Sequence, residues 1–147
     1  MPSPRLAARA VIVEDGRLLL VNAYAGAETT LWCAPGGGVD AGASLPETLM
    51  REVHEETGLM IEVGAPCLVN EFHAPERGFH QVEVFFRANV ITGRLDAGWR
   101  DPEGIVTRRR WVDRTEMDGL RVKPDSLAEI AFDGGFGYDP LERLVGP

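Results

Sequence analysis

Two short stretches decide the fold of this chain: residues 35–39, PGGGV, and residues 51–59, REVHEETGL. The first places three consecutive glycines where regular structure is expected to break. The second is typical of the C-terminal half of a helix, which Ser44 would cap at its start and Gly58 would end. The sequence therefore predicts a glycine-rich break followed by one helix over residues 45–57.

Three glutamates of this helix share one stripe of its surface. At about 100° per residue, with Glu52 as zero, Glu55 lies at about −60° and Glu56 at about +40°. Arg51 stands four residues before Glu55 and can form an ion pair with it. Close like charges repel, and a divalent cation such as Mg²⁺ would offset the repulsion because it prefers carboxylate oxygens, water and phosphates. The alternative is a helix with a solvated acidic face, which leaves the glycines and the arginine unexplained.

The spacing of these residues resembles the Nudix box of the Nudix hydrolase family. In that box a glycine is followed, after a fixed interval, by Arg-Glu-hydrophobic-any-Glu-Glu-any-Gly-hydrophobic. Gly37 opens the pattern and residues 51–59 complete it. The one departure is Ala43, where the family usually has a glutamate that supports the helix and its arginine. We therefore expect the metal chemistry to be kept and the support of the helix to be altered.

The resemblance implies a set of metal ligands. Glu52, Glu55 and Glu56, with the carbonyl of Gly36, would hold Mg²⁺, and Mn²⁺ is the alternative ion. The metal would bridge a diphosphate and lower the pKa of an attacking water. Arg51 would orient the glutamates.

The resemblance also implies a reaction and a general base. Arg51, Glu52 and Glu103 are the predicted catalytic residues, and either glutamate could take the proton from the water. Glu83, within a strand, is the weaker candidate. The predicted reaction is Mg²⁺-dependent hydrolysis of a diphosphate bond in a nucleoside diphosphate linked to another group, releasing a nucleoside monophosphate. NTPs, dNTPs, ADP-ribose and sugar nucleotides are such substrates. The alternatives are a non-catalytic nucleotide sensor and, less favoured, an isoprenoid isomerase.

Clues to the substrate are few. Pro75 lies about as far beyond the box as a proline that is found in the family's ADP-ribose subgroup. Many enzymes of that subgroup carry an additional N-terminal region, whereas the first strand predicted here begins at residue 8, which argues against the subgroup. Residues 108–110, RRR, could touch phosphates, but a solvated strand edge is the commoner role. No substrate-binding residue is assigned. Five aromatic residues could stack on a base, although core packing is commoner for such residues: Trp32, Trp99, Trp111, Phe72 and Phe79.

Length and composition bound the class of protein. The chain has 147 residues and a formal net charge of −8, which argues against an extensive nucleic-acid surface but not against a small phosphorylated substrate. No apolar run is long enough for a membrane span, and residues 1–10 lack the apolar core of a secretory signal. We expect one Nudix-like domain over residues 1–147, located in the cytoplasm, with Cys33 and Cys67 reduced and a homodimer allowed.

The remaining patterns predict an α+β fold, a Nudix-like α/β/α sandwich with a mixed β-sheet. Residues 134–138 are expected to be irregular, and residues 141–145 to form a last turn. Helices are predicted over residues 115–120 and 124–132. Strands or extended segments are predicted over residues 8–14, 17–24, 31–34, 59–72, 81–91 and 105–112.

Overall fold

A computed structural model describes residues 3–147 and arranges them around one mixed sheet. Met1 and Pro2, the start of the segment assessed for a secretory signal and of the predicted domain, lie outside the described residues. No helix among the described residues is long and apolar enough to cross a membrane. The elements in chain order are β1 (Arg5–Glu14), β2 (Arg17–Asn22), β3 (Leu31–Cys33), β4 (Gly36–Gly38), α1 (Leu45–Thr57), β5 (Met60–Ala74), a 3₁₀ turn (Pro75–Arg77), β6 (Phe79–Thr92), β7 (Arg109–Val112), α2 (Arg114–Asp118), β8 (Arg121–Val122), α3 (Leu127–Asp133) and β9 (Gly137–Arg143).

The sheet is mixed because its central strand has neighbours of both directions. The strand order is β8-β3-β2-β1-β6-β5-β9, with β4 paired to β1 and β7 paired to β2. β1 is antiparallel to β2 and β4 and parallel to β6. A tight turn joins β1 to β2 at Asp15 and Gly16, whose φ values of 51° and 73° suit a two-residue hairpin loop. The predicted mixed sheet is confirmed.

Helices cover both faces of the sheet. Successive residues of a strand point to opposite faces, so β1 sends Ile12 and Val11 to different cores. Ile12 belongs to a buried cluster with Leu49 and Val53 of α1. Val11 belongs to a second cluster, which contains Leu127 of α3 and Met117 of α2. The result is the α/β/α sandwich of the α+β class that the sequence predicts.

Helix α1 has the predicted bounds. The Ser44 hydroxyl accepts a hydrogen bond from the Glu47 N–H at 3.1 Å, which caps the N-terminus. At the other end Gly58 adopts a left-handed φ of 77°, and its N–H donates to the His54 carbonyl at 2.8 Å. The N-cap and the C-cap set where the helix begins and ends, and thereby where its glutamates lie.

The three glycines before the helix form a strand rather than an irregular break. β4 pairs with Ala7, Ala8 and Arg9 of β1, so the predicted break is wrong for residues 36–38, although Pro35 does lie in a bend. The pairing needs glycine because a Cβ on Gly36 would lie 2.0 Å from the Ala8 carbonyl oxygen. The glycines therefore allow close strand approach instead of ending regular structure.

The strand predicted over residues 105–112 is shorter than expected, since β7 begins only at Arg109. Two side chains, rather than a neighbouring strand, accept hydrogen bonds from the backbone N–H groups of residues 105–108. Asp101 Oδ2 accepts two of them, at 3.2 and 2.8 Å. Asn22 Oδ1 accepts the other two, at 3.0 and 2.9 Å. Such side-chain bonds compete with a sheet ladder.

The end of the chain also differs from the prediction. Residues 137–143 form β9, which pairs in parallel with β5, so neither the irregular segment over residues 134–138 nor the last turn over residues 141–145 is correct as stated. α3 starts at Leu127 rather than at residue 124. A parallel partner so distant along the chain leaves no local pattern in the sequence.

Candidate active site

Three glutamates from two distant parts of the chain meet beside α1. Glu52, Glu55 and Glu103 each offer a carboxylate oxygen, and these oxygens lie within 4.8 Å of one another. Glu103 arrives from the segment between β6 and β7, as the sequence predicts for a carboxylate outside the box. The grouping is of the kind that holds a hard cation, since carboxylate oxygens are preferred ligands of Mg²⁺.

Gly37 gives the Glu52 carboxylate its place. Glu52 is only 8% exposed, and its carboxylate lies directly against the Gly37 backbone. A Cβ on Gly37 would stand 2.6 Å from Glu52 Cδ, closer than real carbon atoms pack. Glycine is therefore needed at position 37, because a side chain there would occupy the space of the Glu52 carboxylate.

Arg51 joins two of the glutamates. Its Nη1 donates to Glu52 Oε1 and to Glu55 Oε1, both at 3.3 Å. Burial by itself would lower the pKa of Arg51, but the charges of Glu52, Glu55 and the nearby Asp40 outweigh it and raise this pKa. The arginine thus keeps its bridging position although Ala43 supplies no carboxylate.

Glu56, which the sequence predicts as a metal ligand, is not one of the three glutamates that group within 4.8 Å, and it lies against the glycine strand instead. Its Oε1 accepts a hydrogen bond from the Gly36 N–H at 3.1 Å. Burial raises the pKa of Glu56 to about 8, the charge of Glu52 adds to the rise, and Arg9 and the Gly36 N–H oppose it. The Gly36 carbonyl, the predicted fourth ligand, accepts a longer bond of 3.4 Å from Arg9 Nη1. A divalent cation beside Glu56 would favour the ionised carboxylate and so lower this pKa.

Three of the four glutamates border a cavity of about 420 Å³, and Glu55 does not line it. Glu52, Glu56 and Glu103 lie in its wall together with the glycine strand, and Arg5 and Arg9 stand at its other side. Burial also raises the pKa of Glu52, and the charge of Glu55 adds to that rise. Buried hard oxygen donors that repel each other fit a divalent cation, with two arginines nearby for the negative groups of a ligand.

A second cavity of about 350 Å³ adjoins the first, and Arg5 and Arg9 line both. Glu83 lies on its floor, where Arg9 Nε donates to it at 2.8 Å and Gln81 Nε2 at 2.9 Å. The Asn70 amide donates to the same carboxylate at 3.4 Å. Because Glu83 is engaged by three donors, it is a structural acid of this floor rather than a free base.

The aromatic residues divide between the cavity and the core. Phe72 and Phe79 line the second cavity with ring centroids 6.0 Å apart. None of the three tryptophans lines either cavity. Trp32 lies beneath the guanidinium groups of Arg108 and Arg110, at 5.4 and 5.6 Å. The arginine run is thus occupied by protein contacts and does not reach the acidic cavity.

Sequence reasoning missed Arg9 and Asp101, which shape the site, and gave Trp99 another role. Arg9 lies in the apolar strand β1 between two fully buried alanines, so the pattern of that strand does not mark it as a site residue. Asp101 collects the backbone N–H groups around Glu103, and its position shortly before a glycine is the one weak signal of such a turn. Trp99 was grouped with the aromatic residues that could stack on a base, yet it packs against α1.

Comparison with known proteins identifies a family. The family model described as the NUDIX domain matches residues 3–131. An ADP-ribose pyrophosphatase of Methanocaldococcus jannaschii is 32% identical over 97 residues, which cover 65% of this chain and 56% of the relative. A putative ADP-ribose pyrophosphatase of Bacillus subtilis is 26% identical over 66% of this chain and 47% of its own length. The chain thus spans about half the length of the curated relatives it matches.

Solved structures show the same fold. A NUDIX hydrolase from Nitrosomonas europaea superposes with a TM-score of 0.75 at 21% identity, covering 93% of each chain. A MutT NUDIX hydrolase from Burkholderia pseudomallei gives 0.68 at 25% identity, covering 90% of this chain and 98% of the other. This chain belongs to the Nudix family. The predicted family and its fold are confirmed.

Proposed function

We propose that this protein is a Mg²⁺-dependent Nudix pyrophosphohydrolase that cleaves the diphosphate bond of a nucleoside diphosphate linked to another group. ADP-ribose is the first substrate to test, because two relatives carry that activity in their names. The observation that carries the proposal is the group of Glu52, Glu55 and Glu103, whose oxygens lie within 4.8 Å of one another.

The two adjoining cavities support a substrate with a diphosphate and an aromatic part. The acidic cavity would take the diphosphate, with Arg5 and Arg9 at its border to pair with phosphate oxygens. The second cavity offers Phe72 and Phe79 as apolar surface for a base or sugar. A ligand that occupied both cavities, with its diphosphate in the acidic one, would place its phosphates next to the glutamates.

The residues of the site take distinct proposed roles. Glu52, Glu55, Glu56 and the Gly36 carbonyl would hold Mg²⁺, and the bound metal would supply charge stabilisation and a more acidic water. Arg51 orients Glu52 and Glu55 through its two hydrogen bonds.

The proton of the attacking water goes to Glu103. Its carboxylate is exposed and accepts no hydrogen bond among the described residues, whereas Glu52 is held between Arg51 and Gly37. The water oxygen bonds to phosphorus, the bridging P–O bond breaks, and a nucleoside monophosphate leaves along with the phosphorylated remainder.

The test is turnover of ADP-ribose, dNTPs, dinucleoside polyphosphates and sugar nucleotides, with Mg²⁺ or with EDTA, followed by chromatography of the products. We expect a nucleoside monophosphate from at least one substrate, only with the metal. Glu52→Gln and Glu103→Gln should lower kcat by at least about a hundred-fold. Glu47→Gln is the matched control, since Glu47 is exposed on the same helix and away from the cavity. Turnover in EDTA would overturn the metal role, and nucleotide binding without turnover would favour a sensor.

A further inference from the structure

The segment over residues 93–108 brings Glu103 to the site without any regular structure of its own. Connections of this length are mobile unless other parts of the protein hold them. Here Glu103 nevertheless lies within 4.8 Å of Glu52 and Glu55. The contacts that hold this segment, which we call the Glu103 loop, therefore decide where the Glu103 carboxylate stands.

Asp101 shapes the tip of the Glu103 loop. Its Oδ1 accepts from the Glu103 N–H at 3.0 Å, and its carbonyl accepts from the Gly104 N–H at 2.9 Å. Its other carboxylate oxygen binds the two backbone N–H groups that follow. These bonds fix Glu103 relative to the rest of the loop, but they do not tie the loop to α1.

Trp99 makes the first tie to the helix. Its indole Nε1–H donates to the Glu55 carbonyl at 2.8 Å. The ring meets His54 edge to face, with centroids 5.3 Å apart, and lies over Gly58, where a Cβ would approach it to 2.9 Å. Carbonyls near a helix C-terminus lack intrahelical partners, so this bond satisfies the helix while it fastens the loop.

Arg109 makes the second tie at the other end of the loop. Its Nε donates to the Glu56 carbonyl, and its Nη2 donates to the Val106 carbonyl at 3.0 Å. The two ties therefore hold consecutive carbonyls of α1. They belong to Glu55 and Glu56, two of the proposed metal ligands.

We propose that Trp99 is a positioning residue that places the Glu103 carboxylate against Glu52 and Glu55 by docking the Glu103 loop on the end of α1. This inference rests on the proposed function of Glu103. Trp99 lines neither cavity, and its contact with Glu55 is to the backbone carbonyl rather than to the carboxylate. We therefore expect its effect to pass through Glu103.

The test is a double-mutant cycle between Trp99 and Glu103. Trp99→Phe keeps a ring over Gly58 and removes the indole N–H, and Trp111→Phe is the control for the loss of an indole elsewhere. Mn²⁺ affinity is measured by EPR, because a carboxylate this close contributes to cation binding directly or through its charge. Turnover is measured in parallel as kcat and KM.

We expect Trp99→Phe to raise the Mn²⁺ Kd about three-fold and to lower kcat about ten-fold, with KM within about two-fold. In the Glu103→Gln background the same change should have no further effect, and Trp111→Phe should have none in either background. An equal effect of Trp99→Phe with and without Glu103 would overturn the proposal, as would an unchanged Mn²⁺ Kd. If no substrate is turned over, the proposed function fails, while the Mn²⁺ cycle still decides the role of Trp99.

Discussion

Replacing Gly37 by alanine tests whether the glycine strand places the Glu52 carboxylate. The added Cβ would lie 2.6 Å from Glu52 Cδ and 2.8 Å from its nearer oxygen. Carbon atoms pack at about 3.5 Å or more, so the carboxylate must retreat by about 1 Å. A displacement of this size in a catalytic group can cost about a hundred-fold in rate. We therefore expect kcat of Gly37→Ala to fall by about that factor.

The fold should survive this change. The φ of Gly37 is outside the left-handed region, and the obstructing atoms are the far end of one side chain. Gly36→Ala is the contrasting variant, because its Cβ would meet the Ala8 carbonyl oxygen at 2.0 Å and the whole strand pairing must give way. Gly119→Ala is the control, since its Cβ would find its nearest atom at an ordinary 3.7 Å.

The assay combines kcat at saturating substrate with thermal unfolding followed by circular dichroism. The expected pattern is a lower kcat with a Tm near that of the wild type for Gly37→Ala, a large loss of Tm for Gly36→Ala, and no change for Gly119→Ala. Wild-type kcat in Gly37→Ala would refute the placement argument. So would a loss of Tm as large as that of Gly36→Ala.

Three further predictions concern charge and the buried amide. In EDTA the Tm should fall as the pH rises from about 5 towards 8. Burial raises the pKa of Glu56 in the folded protein to about 8. The protonated carboxyl therefore contributes stability that is fully present below its ordinary pKa and is lost as the pH rises through the raised pKa. Glu56→Gln should flatten this profile in the same melting series. Arg51→Gln should lower kcat about ten-fold yet change the unfolding free energy by less than about 1 kcal/mol, as chemical denaturation would show, because exposed ion pairs contribute little. Asn22→Ala should cost about 2–4 kcal/mol in the same measurement, since it leaves two N–H groups of residues 105–108 without their acceptor.

Helix α1 and its glutamates could be predicted because their determinants are local. Ser44, Gly58 and the spacing of the glutamates all lie within one short stretch, and periodicity with caps is a strong signal in such a segment. The same stretch carries the Nudix box, so it predicts both the family and the position of the candidate site. The proposed roles of the individual glutamates stay predictions until they are tested.

The parts that escaped prediction depend on distant partners. β9 forms because β5 lies open beside it, and residues 105–108 are held by the side chains of Asn22 and Asp101 rather than by a strand. The glycine strand was misjudged because three glycines are typical of a break, whereas the structure uses them for close approach to β1. Sequence patterns report the conformational freedom of a residue but not the neighbour that exploits it.

Trp99 and Arg109 donate hydrogen bonds to backbone carbonyls, so these bonds do not depend on which side chains occupy positions 55 and 56. The carboxylates of these positions can be exchanged while the frame that presents them stays fastened. Such a frame separates the evolution of ligand chemistry from the maintenance of the scaffold. Variants with fewer charges, or with softer donors for another metal, could be made here without rebuilding the protein around them.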